Sequence, residues 1–83
     1  MRKSAEAFVL IDTRIGKEKE TLEQLKKIEG VEEAYEIYGV YDIMLRIKVE
    51  TFEKLRELLI WKIRRVDGVK STCTLVIIPE ENT

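Results

Sequence analysis

Lys26-Lys27-Ile28-Glu29-Gly30-Val31 and Arg64-Arg65-Val66-Asp67-Gly68-Val69 follow one pattern: two basic residues, an apolar anchor, an acid, a glycine and a valine. Cations are favoured in the last turn of a helix by the helix dipole, and glycine most readily takes the left-handed conformation in which helices end. Each hexapeptide therefore reads as the exit of a helix into a strand. Upstream of the first, residues 17–28 place Leu22, Leu25 and Ile28 on one narrow stripe among Lys and Glu, which predicts an amphipathic helix. Residues 7–13 before it are rich in β-branched and aromatic side chains and too short for a typical helix, so they predict a strand. Upstream of the second exit, Thr51 is a good N-cap for a helix over 52–66, with Glu53 in its first turn.

Between the halves, residues 31–38 alternate loosely, Gly39 interrupts, and residues 41–49 alternate cleanly. Tyr41, Ile43, Leu45, Ile47 and Val49 fall on one side of this strand, and Asp42, Arg46 and Lys48 on the other. Residues 71–78 form the last predicted strand, and Pro79 opens a short acidic tail expected to fray. The order β-α-β-β-α-β with matching helix exits predicts an α+β, ferredoxin-like sandwich. Right-handed crossovers interleave the strands into one antiparallel sheet with both helices on one face.

The 83 residues form one domain with its core over about 7–78. A chain this short buries only roughly 60% of the surface it exposes when unfolded, so association would help it. With 15 basic and 16 acidic side chains there is no large field to attract a phosphate backbone, and direct DNA binding is not expected. Cys73 has no partner for an internal disulfide, which fits a reducing, cytoplasmic setting. The apolar run after the basic start is too short for a signal segment or membrane span. Amides are scarce while Lys and Glu are plentiful, a balance that leans towards a thermophilic source.

With both helices on one face, the other face of the sheet should be polar in a monomer. Instead the first strand sets Phe8 and Leu10 against Ala7, Val9 and Ile11, and the last sets Cys73, Leu75 and Ile77 against Val76 and Ile78. Strands apolar on both sides need cover on both sides, which predicts a dimer formed by face-to-face sheet packing, with Phe8, Leu10, Leu75 and Ile77 at the interface. On the second helix, a step of about 100° per residue puts Phe52, Leu55, Leu59, Ile63 and Val66 on one stripe and Trp61 nearly opposite. Trp61 is either a further contact or a tolerated surface aromatic.

No histidine is present, so neither a Ser-His or Cys-His pair nor a histidine metal site can form, and a single Cys makes no C-x-x-C motif. No cofactor, metal or catalytic residue is expected. The most informative segment is Tyr38-Gly39-Val40-Tyr41-Asp42. Gly39 leaves backbone N–H groups approachable by a carboxylate, and Asp42, on the face away from the helices, can meet an ammonium group. Together they match the two charged ends of a free amino acid. An ordinary hairpin glycine and a solvated strand acid fit the same spacing. Thr72 and Thr74 are good strand formers whose hydroxyls can also orient a polar ligand near a subunit boundary.

The opening Ala-Phe-Val-Leu-Ile strand, the Ile-Glu-Gly-Val turn, Gly39-Val40-Tyr41-Asp42 leading a strand, and Gly68-Val69 followed by Thr72, Thr74, Leu75 and Val76 resemble the effector domain of Lrp/AsnC regulators. The resemblance spans roughly residues 7–78 and implies a stand-alone, RAM-type domain of that family without the usual helix-turn-helix domain. It implies dimers and larger rings, often octamers, that bind an amino-acid effector, and a partnership with full-length Lrp/AsnC regulators. Residue by residue it places the effector at Gly39, Tyr41 and Asp42, with Thr72 and Thr74 beside them. Tyr38 departs from the threonine often found before this glycine. Three alternatives share the fold: an ACT-like amino-acid-sensing module, a small dimeric α+β-barrel enzyme, and an RNA-recognition module, for which the basic sheet and paired aromatics are missing.

Overall fold

The computed structural model describes residues 4–80; the basic start, residues 1–3, and the end of the acidic tail, residues 81–83, lie outside the described residues. The chain runs β1 (Ala5–Thr13), α1 (Glu18–Lys26), β2 (Val31–Glu36), β3 (Ile43–Val49), α2 (Phe52–Glu57) continuing as a π-helical segment (Leu58–Ile63), and β4 (Val69–Val76). The strands lie in the order β2-β3-β1-β4, and every neighbouring pair is antiparallel. Each helix therefore joins two parallel strands that have another strand inserted between them, which is the ferredoxin-like arrangement.

Alternation decides which residues meet the helices. Ala7, Val9 and Ile11 of β1 and Ile43, Leu45 and Ile47 of β3 are fully buried against Leu25, Leu55 and Ile63. Their neighbours in sequence point to the opposite face, where Phe8 pairs with Leu75 and Leu10 with Cys73. That face is uncovered, and Leu75 is 50% exposed.

The second helix departs from the uninterrupted α-helix expected over 52–66. The Arg64 N–H donates to the Leu59 carbonyl at 3.0 Å, five residues back, so the last turn is widened. One extra residue in a turn rotates everything after it, and the buried set becomes Leu55, Leu58 and Ile63 while Leu59 is only partly covered. Phe52, assigned above to the buried stripe, is 56% exposed. Trp61 points outward as expected, 58% exposed, with the Arg65 guanidinium 4.8 Å from its ring centroid.

Element ends also shift. α1 is shorter than expected, β1 and β4 each begin two residues earlier, and β2 and β3 stop and start two residues further from Gly39. At the second helix exit, Gly68 has φ +99°, and a Cβ there would run into Oγ1 of Thr21. Thr21 is itself buried and donates from that oxygen to the Asp67 carbonyl at 3.1 Å, while Lys17 lies 3.6 Å from the Asp67 carboxylate. The second exit is thus clamped onto the first turn of α1. Among the described residues, no helix is long and apolar enough to cross a membrane.

Candidate functional site

Because β2 ends at Glu36 and β3 starts at Ile43, residues 37–42 form a wide bend, closed by the Ile37 N–H donating to the Asp42 carbonyl at 2.8 Å. Tyr38 and Val40 project into solvent on either side of Gly39. Nothing lies within 4 Å of where a Cβ on Gly39 would stand, so its backbone is open to approach.

Asp42 is tied back into the sheet. Its N–H donates to the Ile11 carbonyl at 2.9 Å, and its Oδ2 accepts both the Thr13 N–H at 2.9 Å and the Thr13 hydroxyl at 3.0 Å. These two donors, the backbone N–H first, hold the carboxyl below the ordinary aspartate range. Asp42 is therefore a fixed anion at the rim of the sheet. Both Thr13 donors converge on one oxygen, and a carboxylate offers about four acceptor positions over two oxygens, so capacity remains for an incoming cation.

Tyr41 lies half-buried beside Cys73 and Asp12. The Cys73 sulfur, as a charge and then as a hydrogen-bond partner, raises the phenol above its usual range, with burial and Asp12 adding to it, so Tyr41 stays a neutral donor. On β4, Thr72 lies opposite Ile11 and Thr74 opposite Val9, which turns both towards the helix side of the sheet. Thr72 lines a cleft of about 360 Å³ with Arg64, Val69, Lys70 and Ser71. Asp42, at the end of the bend, and Thr72, on β4, thus both adjoin Ile11 of β1, from its two sides. Thr74 sits one pleat further in, and Gly39 at the bend beyond.

Sequence reasoning did not find Thr13, which anchors Asp42, nor the Arg64 and Lys70 side of the cleft. The available signal for Thr13 was a polar β-branched residue ending an apolar strand, at the point where the pairing with β4 slips between Asp12 and Thr13.

The expected interface residues separate into two places. Phe8, Leu10 and Leu75 adjoin on the open sheet face, joined by Ile77, whose N–H donates to the Glu6 carbonyl at 2.9 Å. Trp61 is on the helix layer, in the rim of a larger cleft of about 820 Å³ between the end of α1 and the second helix. Among the described residues, no group of three or more Cys, Asp or Glu side chains is placed to hold a metal ion.

This fold is that of a small α+β module, and comparison with known proteins places it. The family model for the Lrp/AsnC ligand binding domain matches residues 6–81, and the chain belongs to that family. The uncharacterized HTH-type transcriptional regulator PF0250 of Pyrococcus furiosus is 40% identical over 73 residues, which cover 84% of this chain and 49% of the relative. The crystal structure of the hypothetical protein PHS023 from Pyrococcus horikoshii superposes with a TM-score of 0.85 at 36% identity, covering 92% of each chain. A feast or famine regulatory protein from M. tuberculosis, solved in complex with L-methionine, has a TM-score of 0.77 at 26% identity, covering 95% of this chain and 53% of that one. The chain spans about half the length of the curated relatives it matches. Those relatives are transcriptional regulators, and the domain is regulatory rather than catalytic.

Proposed function

We propose that this chain binds a free amino acid at the bend end of its sheet and assembles with copies of itself, the ligand shifting the balance among assemblies. The observation that carries the reading is Asp42, a carboxylate kept ionised and oriented by Thr13 beside the open backbone of Gly39. An amino acid is a zwitterion, and it needs one anion and a set of N–H donors a few ångströms apart. Asp42 meets the ammonium group, amides around Gly39 meet the carboxylate, and Tyr41 helps close the pocket. The L-methionine held by the M. tuberculosis relative supports the ligand class. Thr72 and Thr74 supply hydroxyls on the β4 side.

Assembly follows from the open face, where Phe8, Leu10, Leu75 and Ile77 await cover that a second copy supplies. A ligand at a boundary between copies acts by its differential affinity for the assembled states, with no chemistry required. The same surfaces would let the chain join full-length Lrp/AsnC regulators and dilute their DNA-binding arms. The 83-residue chain alone, with a net charge of −1, should not bind duplex DNA tightly.

Calorimetric titration with each common amino acid tests the site. One or more should bind, and Asp42→Ala should lose about 2 to 5 kcal/mol of binding if the charge pair is desolvated at a subunit boundary. Asp42→Asn, which keeps an acceptor for Thr13 but no charge, separates loss of the counter-ion from loss of local structure. Equal binding by all three proteins, or none by the parent, refutes the assignment.

A further inference from the structure

The open face of the sheet carries an ion pair near its middle. β3 and β1 are the two inner strands, and across them Nη2 of Arg46 donates to Oε1 of Glu6 at 3.0 Å. Arg46 lies opposite Phe8, Phe8 lies opposite Leu75, and Glu6 adjoins Ile77. Phe8 therefore stands between Arg46 and Leu75, and a second copy that covers this row covers the guanidinium with it. Glu33, opposite Arg46 on the outer strand β2, takes the Tyr35 hydroxyl, which leaves Glu6 as the counter-ion of Arg46. The other four ion pairs among the described residues are of a different kind. All involve α1 or its N-cap Lys17, span 3.5 to 3.8 Å, and have one member at least 66% exposed. Arg46 and Glu6 are only 32% and 27% exposed even with the face uncovered.

We infer that the Arg46–Glu6 pair selects the partner on the open face: it admits a second copy, which brings the same pair, and rejects a chain whose face leaves either charge uncompensated. The inference rests on the sheet-face assembly proposed above and adds what decides its partner. An ion pair in water contributes little, but a covered one loses its hydration, and each charge then depends on the other. Removing one member strands a buried charge, whereas replacing both by apolar side chains is close to neutral or favourable. In a twofold contact the partner's surface is the same surface, so two guanidinium groups meet two carboxylates in one interior and the charges balance. Apolar side chains such as Phe8 and Leu75 pack on almost any apolar face. The charge pair supplies the discrimination they lack, by penalising the wrong partner.

The test uses Glu6→Gln, Arg46→Met and a double variant, Glu6→Leu with Arg46→Met. Glu36→Gln is the control, since it breaks the exposed Lys19–Glu36 pair. Sedimentation over a dilution series follows dissociation of the dimer, and far-UV spectra check that each chain folds. Each single variant should associate about tenfold or more weakly than the parent, while the double variant returns to the parent's affinity or exceeds it. Glu36→Gln should match the parent. Glu6→Gln and Arg46→Met chains, one of them isotopically heavy, are then refolded together and weighed by native mass spectrometry. Mixed dimers should exceed the statistical proportion, because each chain supplies the charge the other lacks, while heavy and light parent chains should mix statistically. Single variants that associate as tightly as the parent, or a statistical mixture of the two, overturn the inference and leave the assembly reading standing. A double variant as weak as the singles also overturns it, because the loss then follows packing and not an unpaired charge. A parent that stays monomeric removes the assembly reading itself, and the inference falls with it.

Discussion

Asp42 links the stability of the rim to its ligand chemistry, because the two Thr13 donors that fix its carboxylate also favour its charged form. A carboxyl whose pKa falls on folding below the ordinary aspartate value of 3.8 stabilises the fold fully above that value. The contribution is lost as pH drops through the lower, folded value. Asp42→Asn should therefore lower stability near neutral pH and flatten the loss of stability below about pH 4, read from urea unfolding midpoints across that range. An acid limb as steep as the parent's would show that Asp42 titrates as a free side chain. Gly68 makes the opposite kind of prediction, purely steric. Its φ of +99° and the Thr21 hydroxyl in the way of a Cβ mean that Gly68→Ala should destabilise by about 1 to 3 kcal/mol. Gly16→Ala, with nothing within 4 Å of its Cβ position, carries only the backbone part of that penalty. Equal melting temperatures for the two variants would contradict the close approach at Gly68.

The second helix is held at its start by Thr51, whose Oγ1 accepts the Lys54 N–H at 3.1 Å. Thr51→Ala should cost about 1 kcal/mol. In a domain of this size that is a fall of roughly 4–8 °C in melting temperature, and an unchanged melt would place the helix start elsewhere. Two kinds of element information differ in how openly the sequence carries them. The two glycine exits and the strict alternation of β3 were legible because they follow local rules: left-handed glycine, helix dipole, side chains on alternate faces. The widened turn at Leu58–Ile63 was not, since no proline or glycine marks it and several apolar residues follow one another there, any of which could face the core. The bend was underestimated for a similar reason. Residues 37, 38, 40 and 41 are apolar or aromatic and read as strand, although the pairing stops at Glu36 and resumes at Ile43. At the candidate site, Gly39, Tyr41 and Asp42 were visible as a cluster in sequence. Thr13, Arg64 and Lys70 reach the same end of the sheet only through long-range pairing, which spacing along the chain does not record.

Seen whole, the molecule has a closed helix side and an open sheet side. The open side carries Phe8, Leu10 and Leu75 close together, with the Arg46–Glu6 ion pair at 3.0 Å beside them. Packing two such faces removes apolar surface from water without disturbing the core, so the protein should be at least dimeric at micromolar concentration by light scattering. Leu75→Glu, at a half-exposed position outside the core, should shift the mass towards monomer while leaving the far-UV spectrum unchanged. A strictly monomeric parent would contradict the covered face. The proposed ligand site lies at the bend end of the sheet and the larger, charge-balanced cleft at the end of α1, which gives a direct spatial test. Amide shifts from nuclear magnetic resonance should be followed while titrating in the amino acid that binds tightest by calorimetry. The largest changes are expected at Gly39, Tyr41, Asp42 and Thr13, with Thr72 and Thr74 following across β1. Changes that leave these residues untouched and gather instead around Gly30, Leu58 and Trp61 would contradict the assignment of the effector site.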